Sequence, residues 1–223
     1  MKYYLVFSFV FFSAINCFST PPQKQTFLNW ELGYAKSASE TPSKWISAIV
    51  PVAFQLDIAK AEKYAPYYFA EHWKDYLWME DQFYTYRTHF FKPDLEAGER
   101  VVFISKGIDY QFQIFLNGVE LLNQEGMFTP VKLDLTDQLK DKNELKILVF
   151  PAPKLHEKPT DRSQATNVAK PAVSYGWDWH PRLIPLGIWD ETYLEIQPDS
   201  YIDDFHVNYQ LDQELIQVNI NLE

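Results

Sequence analysis

The stretch Gln111-Phe112-Gln113-Ile114-Phe115-Leu116-Asn117-Gly118-Val119-Glu120-Leu121-Leu122 predicts two antiparallel strands joined by a tight turn. An Asn-Gly pair between apolar runs favours a type I′ turn. Both central residues of that turn need a positive φ, which Asn tolerates and Gly adopts freely. The stretch therefore predicts a β-hairpin, the basic unit of an antiparallel sheet.

Segments on both sides of this hairpin favour further strands, because they are rich in β-branched and aromatic residues or alternate apolar with polar ones. They cover residues 26–34, 83–90, 100–105, 128–135, 144–150 and 192–196. Helical spacing occurs only between residues 54 and 81, where Pro66 interrupts it. With no βαβ alternation and no glycine-rich phosphate loop, the chain is predicted to be an all-β sandwich of jelly-roll type.

The composition is that of a globular protein, and its charge disfavours a nucleic-acid-binding function. Of its 223 residues, 47% are hydrophobic and 22% are charged, and aromatic residues make up 17%. The net charge of −10 opposes binding to nucleic acid or to an anionic membrane surface. A neutral ligand such as an uncharged sugar is not repelled by that field.

The first 19 residues have the pattern of a secretory signal peptide, with Lys2 followed by a short apolar run and small residues. The run is too short to span a membrane. We therefore expect a secreted or periplasmic protein. Cleavage after Ser19 would remove Cys17, the only cysteine, and leave no thiol or disulfide. The alternative is a lipid anchor at Cys17.

The segment of greatest functional interest is Ser174-Tyr175-Gly176-Trp177-Asp178-Trp179-His180-Pro181-Arg182. It follows a long polar connection, residues 151–171, of a length typical of loops that are either functional or disordered. Sugar rings stack their C–H faces on aromatic side chains, and their hydroxyls bond to carboxylates and guanidinium groups. The segment thus predicts a sugar-binding loop. The alternative is an aromatic cluster in the core, with Asp178 in a salt bridge to Arg182.

Other polar residues are expected to have structural roles. Glu80 and Asp81 are adjacent in sequence, so their side chains should point in different directions. We therefore expect them to lie on a solvated face and not to act as an acid/base pair. Arg87, in a predicted strand, is expected to be an ion-pair partner. The five histidines have no metal-ligand spacing, so no metal site is predicted.

With these elements in place, the chain resembles the N-terminal sugar-binding domain of the β-mannosidase branch of glycoside hydrolase family 2. The resemblance covers roughly residues 30–196. It is carried by residues 45–51 with Leu56, by Pro66-Tyr67-Tyr68 with residues 78–81 and 86–90, by Phe115-Leu116-Asn117-Gly118, and above all by Tyr175-Gly176-Trp177-Asp178-Trp179-His180-Pro181-Arg182 with Gly187-Ile188-Trp189. The chain departs from the family pattern at Val52 and His180, where glycine is usual, and at Asp190-Glu191.

The resemblance implies a galactose-binding-like jelly-roll sandwich and a retaining hydrolase that cleaves a terminal β-linked mannose. Such enzymes use two carboxylates about 5 Å apart. In this family both are glutamates on a C-terminal (β/α)8 barrel, so we expect no catalytic residue in this chain, which should be inactive alone, and no cofactor.

The substrate-binding residues implied by the resemblance are Trp177, Asp178, Trp179, His180 and Arg182. Asp178 would accept hydrogen bonds from sugar hydroxyls, and Trp177 or Trp179 would line the pocket. His180 would add a polar contact, and Arg182 is expected to orient Asp178.

The predicted layout is a signal peptide at residues 1–19, the sugar-binding domain at 20–198 and the first strands of an immunoglobulin-like domain at 199–223. The chain then resembles the front part of a longer hydrolase. Two alternatives remain open at this point. One is a stand-alone carbohydrate-binding module, and the other is a family 2 hydrolase acting on another β-glycoside.

Overall fold

The computed structural model describes residues 24–198, 200, 205–211 and 216–222. The predicted signal peptide at residues 1–19 lies outside these residues. The described chain is a sandwich of two antiparallel sheets. The strands are β1 (Lys24–Phe27), β2 (Trp30–Ala35), β3 (Ile46–Ala48), β4 (Phe83–Phe91), β5 (Arg100–Ser105), β6 (Ile108–Asp109), β7 (Gln111–Leu116), β8 (Val119–Glu125), β9 (Val131–Asp134), β10 (Lys142–Val149), β11 (Gly187–Ile188), β12 (Thr192–Gln197), β13 (Phe205–Leu211) and β14 (Ile216–Leu222).

One sheet has the strand order β1-β12-β5-β9 and the other has the order β3-β2-β4-β10-β7-β8. The pairs β6–β11 and β13–β14 form separate two-stranded ladders. The predicted all-β sandwich is thus confirmed. The described part of residues 199–223 forms β13 and β14 and is compatible with a further β domain, but its immunoglobulin-like character stays a prediction.

The hairpin of β7 and β8 has the predicted turn, with φ of 54° at Asn117 and 83° at Gly118. Leu116 pairs with Val119 across it. The Asn117 side chain also ties the turn to β10, because its amide nitrogen donates to Asn143 and its oxygen accepts from the Glu144 backbone N–H. Asn117 is therefore both a turn former and a link between neighbouring strands.

The core lies between the two sheets and is strongly aromatic. Alternate residues of the central strands point inward, as expected for sheets with one solvated face. Tyr84 and Tyr86 of β4 are fully buried together with Phe103 of the opposite sheet. Phe54 stacks on Tyr84 with 3.5 Å between ring centroids.

The prediction of one strand over residues 26–34 was wrong. The chain instead forms β1 and β2, which belong to different sheets, and Leu28-Asn29 crosses between them. The strand predicted at 128–135 is shorter, because Pro130 has no N–H to donate and β9 begins after it.

The helical segment has two parts, α1 (Phe54–Glu62) and a 3-10 helix (His72–Asp81). The beginning of α1 and the residues just before it bind the chain that follows residues 174–182. The N–H groups of Val52 and Phe54 donate to the carbonyls of Ile188 and Leu186. The Gln55 amide donates to the Ile184 carbonyl at 2.7 Å. None of the described helices is both long and apolar enough to cross a membrane.

Asp57, in the first turn of α1, is a buried carboxyl group without a cationic hydrogen-bond partner in the described part of the chain. It is 4% exposed and accepts the Ile49 backbone N–H at 3.1 Å. Burial raises the pKa of Asp57 to about 6, against the opposing effect of that hydrogen bond. The folded state thus retains this proton to higher pH than the unfolded state, so stability falls as the pH rises from about 4 to 6.

We therefore expect Asp57→Asn, which removes the charge but keeps an amide oxygen as acceptor, to raise the free energy of unfolding at pH 7 by about 1–3 kcal/mol. At pH 4 the same substitution should have little effect. Urea unfolding at the two pH values measures this, with exposed Asp75→Asn as the control. An equal effect at both pH values would contradict the assignment.

Candidate functional site

Residues 177–180 form a tight turn with Asp178 and Trp179 at its tip. The Trp177 N–H donates to the His180 carbonyl at 2.9 Å, and the His180 N–H donates to the Trp177 carbonyl at 3.2 Å. We call this segment the Trp-Asp-Trp turn. Gly176 precedes it with φ of 108°, a conformation that other residues adopt only with strain. The tip is exposed, and the Trp179 side chain is 74% accessible.

The aromatic side chains of the turn are braced from the long connection before it. The Arg162 guanidinium lies over Trp177, with 3.8 Å between its central carbon and the ring centroid. Trp177 and Trp179 have centroids 5.4 Å apart at an angle of 51°. Arg162 begins a short 3-10 helix whose N-terminus is capped by the Asp161 side chain. Residues 151–171 are therefore an ordered support for the turn.

Arg182 bonds to Glu80, 102 residues away in sequence. Its Nε lies 3.1 and 3.0 Å from the two Glu80 carboxylate oxygens, and its second terminal nitrogen donates to Oε1 at 2.8 Å. Lys154 also donates to Glu80 Oε1, at 2.9 Å. The expectation that Arg182 orients Asp178 was wrong, and so was the alternative of an Asp178–Arg182 salt bridge.

Glu80 is buried, so the prediction of a solvated face was wrong for this residue. The side chains of Glu80, Lys154 and Arg182 are 11%, 7% and 15% exposed. Asp81 is exposed as predicted, yet it too reaches Lys154, at 2.5 Å. We call Glu80, Lys154 and Arg182 the Glu80 cluster. A third donor of Arg182 bonds the Tyr175 carbonyl at 3.2 Å, which fixes the chain on both sides of the turn.

A second ion pair holds the segment that leads into the turn. Lys170 donates to Asp109 and, at 2.6 Å, to the Pro185 carbonyl; both side chains of the pair are almost fully buried. Burial raises the pKa of Asp109 and lowers the pKa of Lys170, while their mutual attraction opposes both changes. Asp109 lies in β6, which pairs with β11. Residues 170 and 185 are therefore fixed to each other and to the sandwich.

Asp178 is in a different situation from these buried charges. No side chain in the described part of the chain bonds to its carboxylate, which is exposed at the tip of the turn. The turn is held in place by groups on either side of it, but its own acid is left available. This arrangement can accept hydrogen bonds from a ligand's hydroxyls while Trp179 offers an aromatic face.

His180 faces a pocket of about 350 Å³ beside the turn. Tyr67, Tyr76, Met127 and Ser174 are among its other lining residues. The His180 Nδ1 lies 2.6 Å from the Pro181 carbonyl, so a proton on Nδ1 leaves Nε2 as an acceptor. Within residues 24–198 and the described parts beyond, no group of three His, Cys, Asp or Glu side chains has the geometry to hold a metal ion.

The structure thus brings four of the five predicted site residues, Trp177 to His180, together in the turn and places Arg182 behind it. Sequence reasoning missed Arg162, Glu80 and the pair of Asp109 with Lys170 as supporting groups. Arg162 lies in a polar segment without hydrophobic periodicity, so the sequence does not indicate that it contacts Trp177. The only hint for Glu80 was its position beside a second carboxylate. Arg87 was correctly predicted as an ion-pair partner, since it donates to Glu31 at 2.8 Å.

Comparison with known proteins identifies relatives among the glycoside hydrolases. The family described as "Glycosyl hydrolase 2 galactose-binding domain-like" matches residues 30–190. Beta-mannosidase B of Aspergillus flavus is 29% identical over 178 residues, which are 73% of this chain and 21% of that protein. The corresponding protein of Thermothelomyces thermophilus is 27% identical over 158 residues, 65% of this chain and 18% of its own length.

Solved structures show the same likeness. The β-D-mannosidase from Dictyoglomus thermophilum aligns with a TM-score of 0.76 at 25% identity, covering 90% of this chain and 26% of that one. A β-glucuronidase from an uncultured Clostridium species shares the fold, with a TM-score of 0.60 at 16% identity, covering 90% of this chain and 34% of its own. The chain spans about a fifth of the length of the curated relatives it matches.

Glu80→Ala should destabilise the chain by about 3–5 kcal/mol, because it leaves two cations in the interior without their carboxylate. The matched control is the neighbouring Asp81→Ala, which removes an exposed carboxylate from the same lysine and should cost about 1 kcal/mol or less. Urea unfolding of both variants measures the difference. Equal losses would show that the Glu80 cluster is not a buried ionic support.

Proposed function

Because the chain belongs to the glycosyl hydrolase 2 galactose-binding domain-like family, we propose that it is the N-terminal, substrate-positioning part of an exported β-mannosidase-type hydrolase. The substrate would be a carbohydrate that ends in a β-linked mannose. The names of the relatives support this choice of sugar over other β-glycosides. The apolar, signal-like residues 1–19 support export, with cleavage after Ser19 preferred over a lipid anchor at Cys17.

The observation that carries this proposal is the exposed acid at the tip of the Trp-Asp-Trp turn. A surface carboxylate without a partner is common, but Asp178 is held between two tryptophans on a turn that buried ion pairs fix on both sides. Such rigidity is what a binding group needs, because little conformational entropy is then lost when the ligand binds.

In the proposed reaction, two carboxylates of a following barrel cleave the glycosidic bond with retention, one as acid and base and the other as nucleophile. The present chain contributes binding. Asp178 accepts hydrogen bonds from hydroxyls of the terminal sugar, and each such charge-assisted bond is worth about 1.5–3 kcal/mol. Trp179 covers a C–H face of the sugar and keeps water away.

The other three residues differ in how directly they would contact the sugar. Trp177 holds the turn through its stack on Arg162 and contributes its remaining surface to the wall of the site. His180 supplies a polar contact on the pocket side, where relatives of this type usually have glycine. Arg182 acts at a distance from the sugar, as a positioning residue that holds the turn through Glu80.

The DNA that follows the codon for Glu223 offers a direct test. We expect it to encode further β domain and then a (β/α)8 barrel with two glutamates at the carboxyl ends of its strands. A stop codon without such a barrel would contradict the proposal and favour a stand-alone sugar-binding module.

In the complete protein, Asp178→Ala should lower kcat/KM for an aryl β-mannoside by about 10- to 150-fold, the equivalent of one charge-assisted hydrogen bond. Glu191→Ala, which removes an exposed carboxylate paired with Lys106, is the matched control and should leave kcat/KM nearly unchanged. Steady-state kinetics on a panel of aryl β-glycosides would also identify the sugar. A preference for another glycoside, or no effect of Asp178→Ala, would overturn the mannoside assignment or the role of the turn, respectively.

A further inference from the structure

The outer face of the six-stranded sheet carries a second cleft, of about 350 Å³, away from the Trp-Asp-Trp turn. Its floor consists of outward-facing side chains of β4, β10 and β7, and its wall is the connection between β2 and β3. We call it the sheet cleft. It shares no lining residue with the pocket beside His180.

The wall of the sheet cleft is firmly seated on the sheet. Pro42 is buried against Gly33 of β2, and a Cβ atom at Gly33 would come within 2.5 Å of the Pro42 ring. Gly33 is thus needed for close approach of the two backbones. The wall then runs to Lys44, which pairs with Glu62 at the end of α1. The cleft is therefore a built feature and does not depend on a loose loop.

The floor combines charged and aromatic groups in one cross-strand row. Arg87, Lys146 and Phe115 are direct neighbours on β4, β10 and β7. The Arg87 guanidinium lies over Trp45, 3.6 Å from the ring centroid, and the Lys146 ammonium lies 4.6 Å from the centroid of Phe115. Gln113 adds an amide two residues before Phe115.

The fold requires the solvated face of an antiparallel sheet only to be polar, whereas this part of the face also carries aromatic side chains. Trp45 and Phe115 are half-buried and flank polar groups that point into the same space. Aromatic surface beside both hydrogen-bond donors and hydrogen-bond acceptors is the lining expected of a site for a ligand with C–H faces and hydroxyl groups.

We propose that the sheet cleft is a second carbohydrate site, which binds a neutral β-linked oligosaccharide. Trp45 and Phe115 pack against the sugar rings, and Arg87, Gln113 and Lys146 donate hydrogen bonds to hydroxyl oxygens. A cleft of this size is at the lower end of the range for small-molecule sites and accommodates about two sugar rings. The site anchors a glycan independently of the Trp-Asp-Trp turn, whether or not a barrel follows.

The local charge favours a neutral ligand over an anionic one. Arg87 already has a carboxylate partner in Glu31, at 2.8 Å. Glu40 and Glu144 also line the cleft and add negative charge to it. The whole chain carries a net charge of −10, which further opposes an anion. Hydroxyl groups, which both donate and accept, match such a mixed lining.

The test is a titration of the 15N-labelled 223-residue chain with mannotetraose and with cellotetraose, followed by NMR. We expect shifts of the Trp45 indole N–H, the Gln113 side-chain amide and the backbone amides of 113–115. Phe115→Ala should weaken binding about three- to tenfold, the loss expected for one aromatic packing partner. Gln113→Ala, an outward-facing change that leaves the core intact, should also weaken it.

The matched control is Phe91→Ala. Phe91 is an exposed ring on the same face of β4, and it too has a lysine near it, Lys142 at 5.7 Å, but it lies outside the sheet cleft. Its removal should leave the affinity unchanged. Absence of shifts at the cleft with both sugars up to about 10 mM would overturn the proposal. So would an equal loss in Phe91→Ala, or shifts confined to residues 177–180, and that last result would leave the proposed function intact.

Discussion

The structure depends on the neutralisation of one buried carboxylate, that of Glu80. A carboxylate taken out of water is costly unless cations and hydrogen bonds replace its hydration. Glu80 obtains these from Arg182 in a bidentate pair and from Lys154, so three distant parts of the chain converge at one point. Through Arg182, this requirement of the interior also fixes the segment that carries the exposed tryptophans.

The charges that support the turn are thus different from the charge that it exposes. Glu80 and Asp109 are buried and paired with cations inside the fold, whereas the Asp178 carboxylate is exposed at the surface. The separation shows how a loop of irregular backbone can be held in place without any bond to the Asp178 carboxylate. It also explains why Arg182, though close to Asp178 in sequence, serves the turn best by pointing away from it.

The sequence alone was sufficient for the elements that local rules govern. The Asn117-Gly118 turn, most strands and the helical segment near α1 follow from residue type and periodicity, and the cluster of tryptophans around Asp178 marked the candidate site. What could not be predicted depends on long-range geometry. Nothing local pairs Glu80 with Arg182 or brings Arg162 over Trp177, and nothing in residues 26–34 shows that the chain changes sheets at Leu28-Asn29.

The order of strands in the four-stranded sheet has a consequence for how the chain folds as it is made. β12 lies between β1 and β5, so Lys24–Phe27 has no partner in this sheet until Thr192–Gln197 has been synthesised. Such non-local pairing is slow and leaves strand edges open in the meantime. Nearly the whole domain must therefore leave the ribosome before the four-stranded sheet is complete and the sandwich can close.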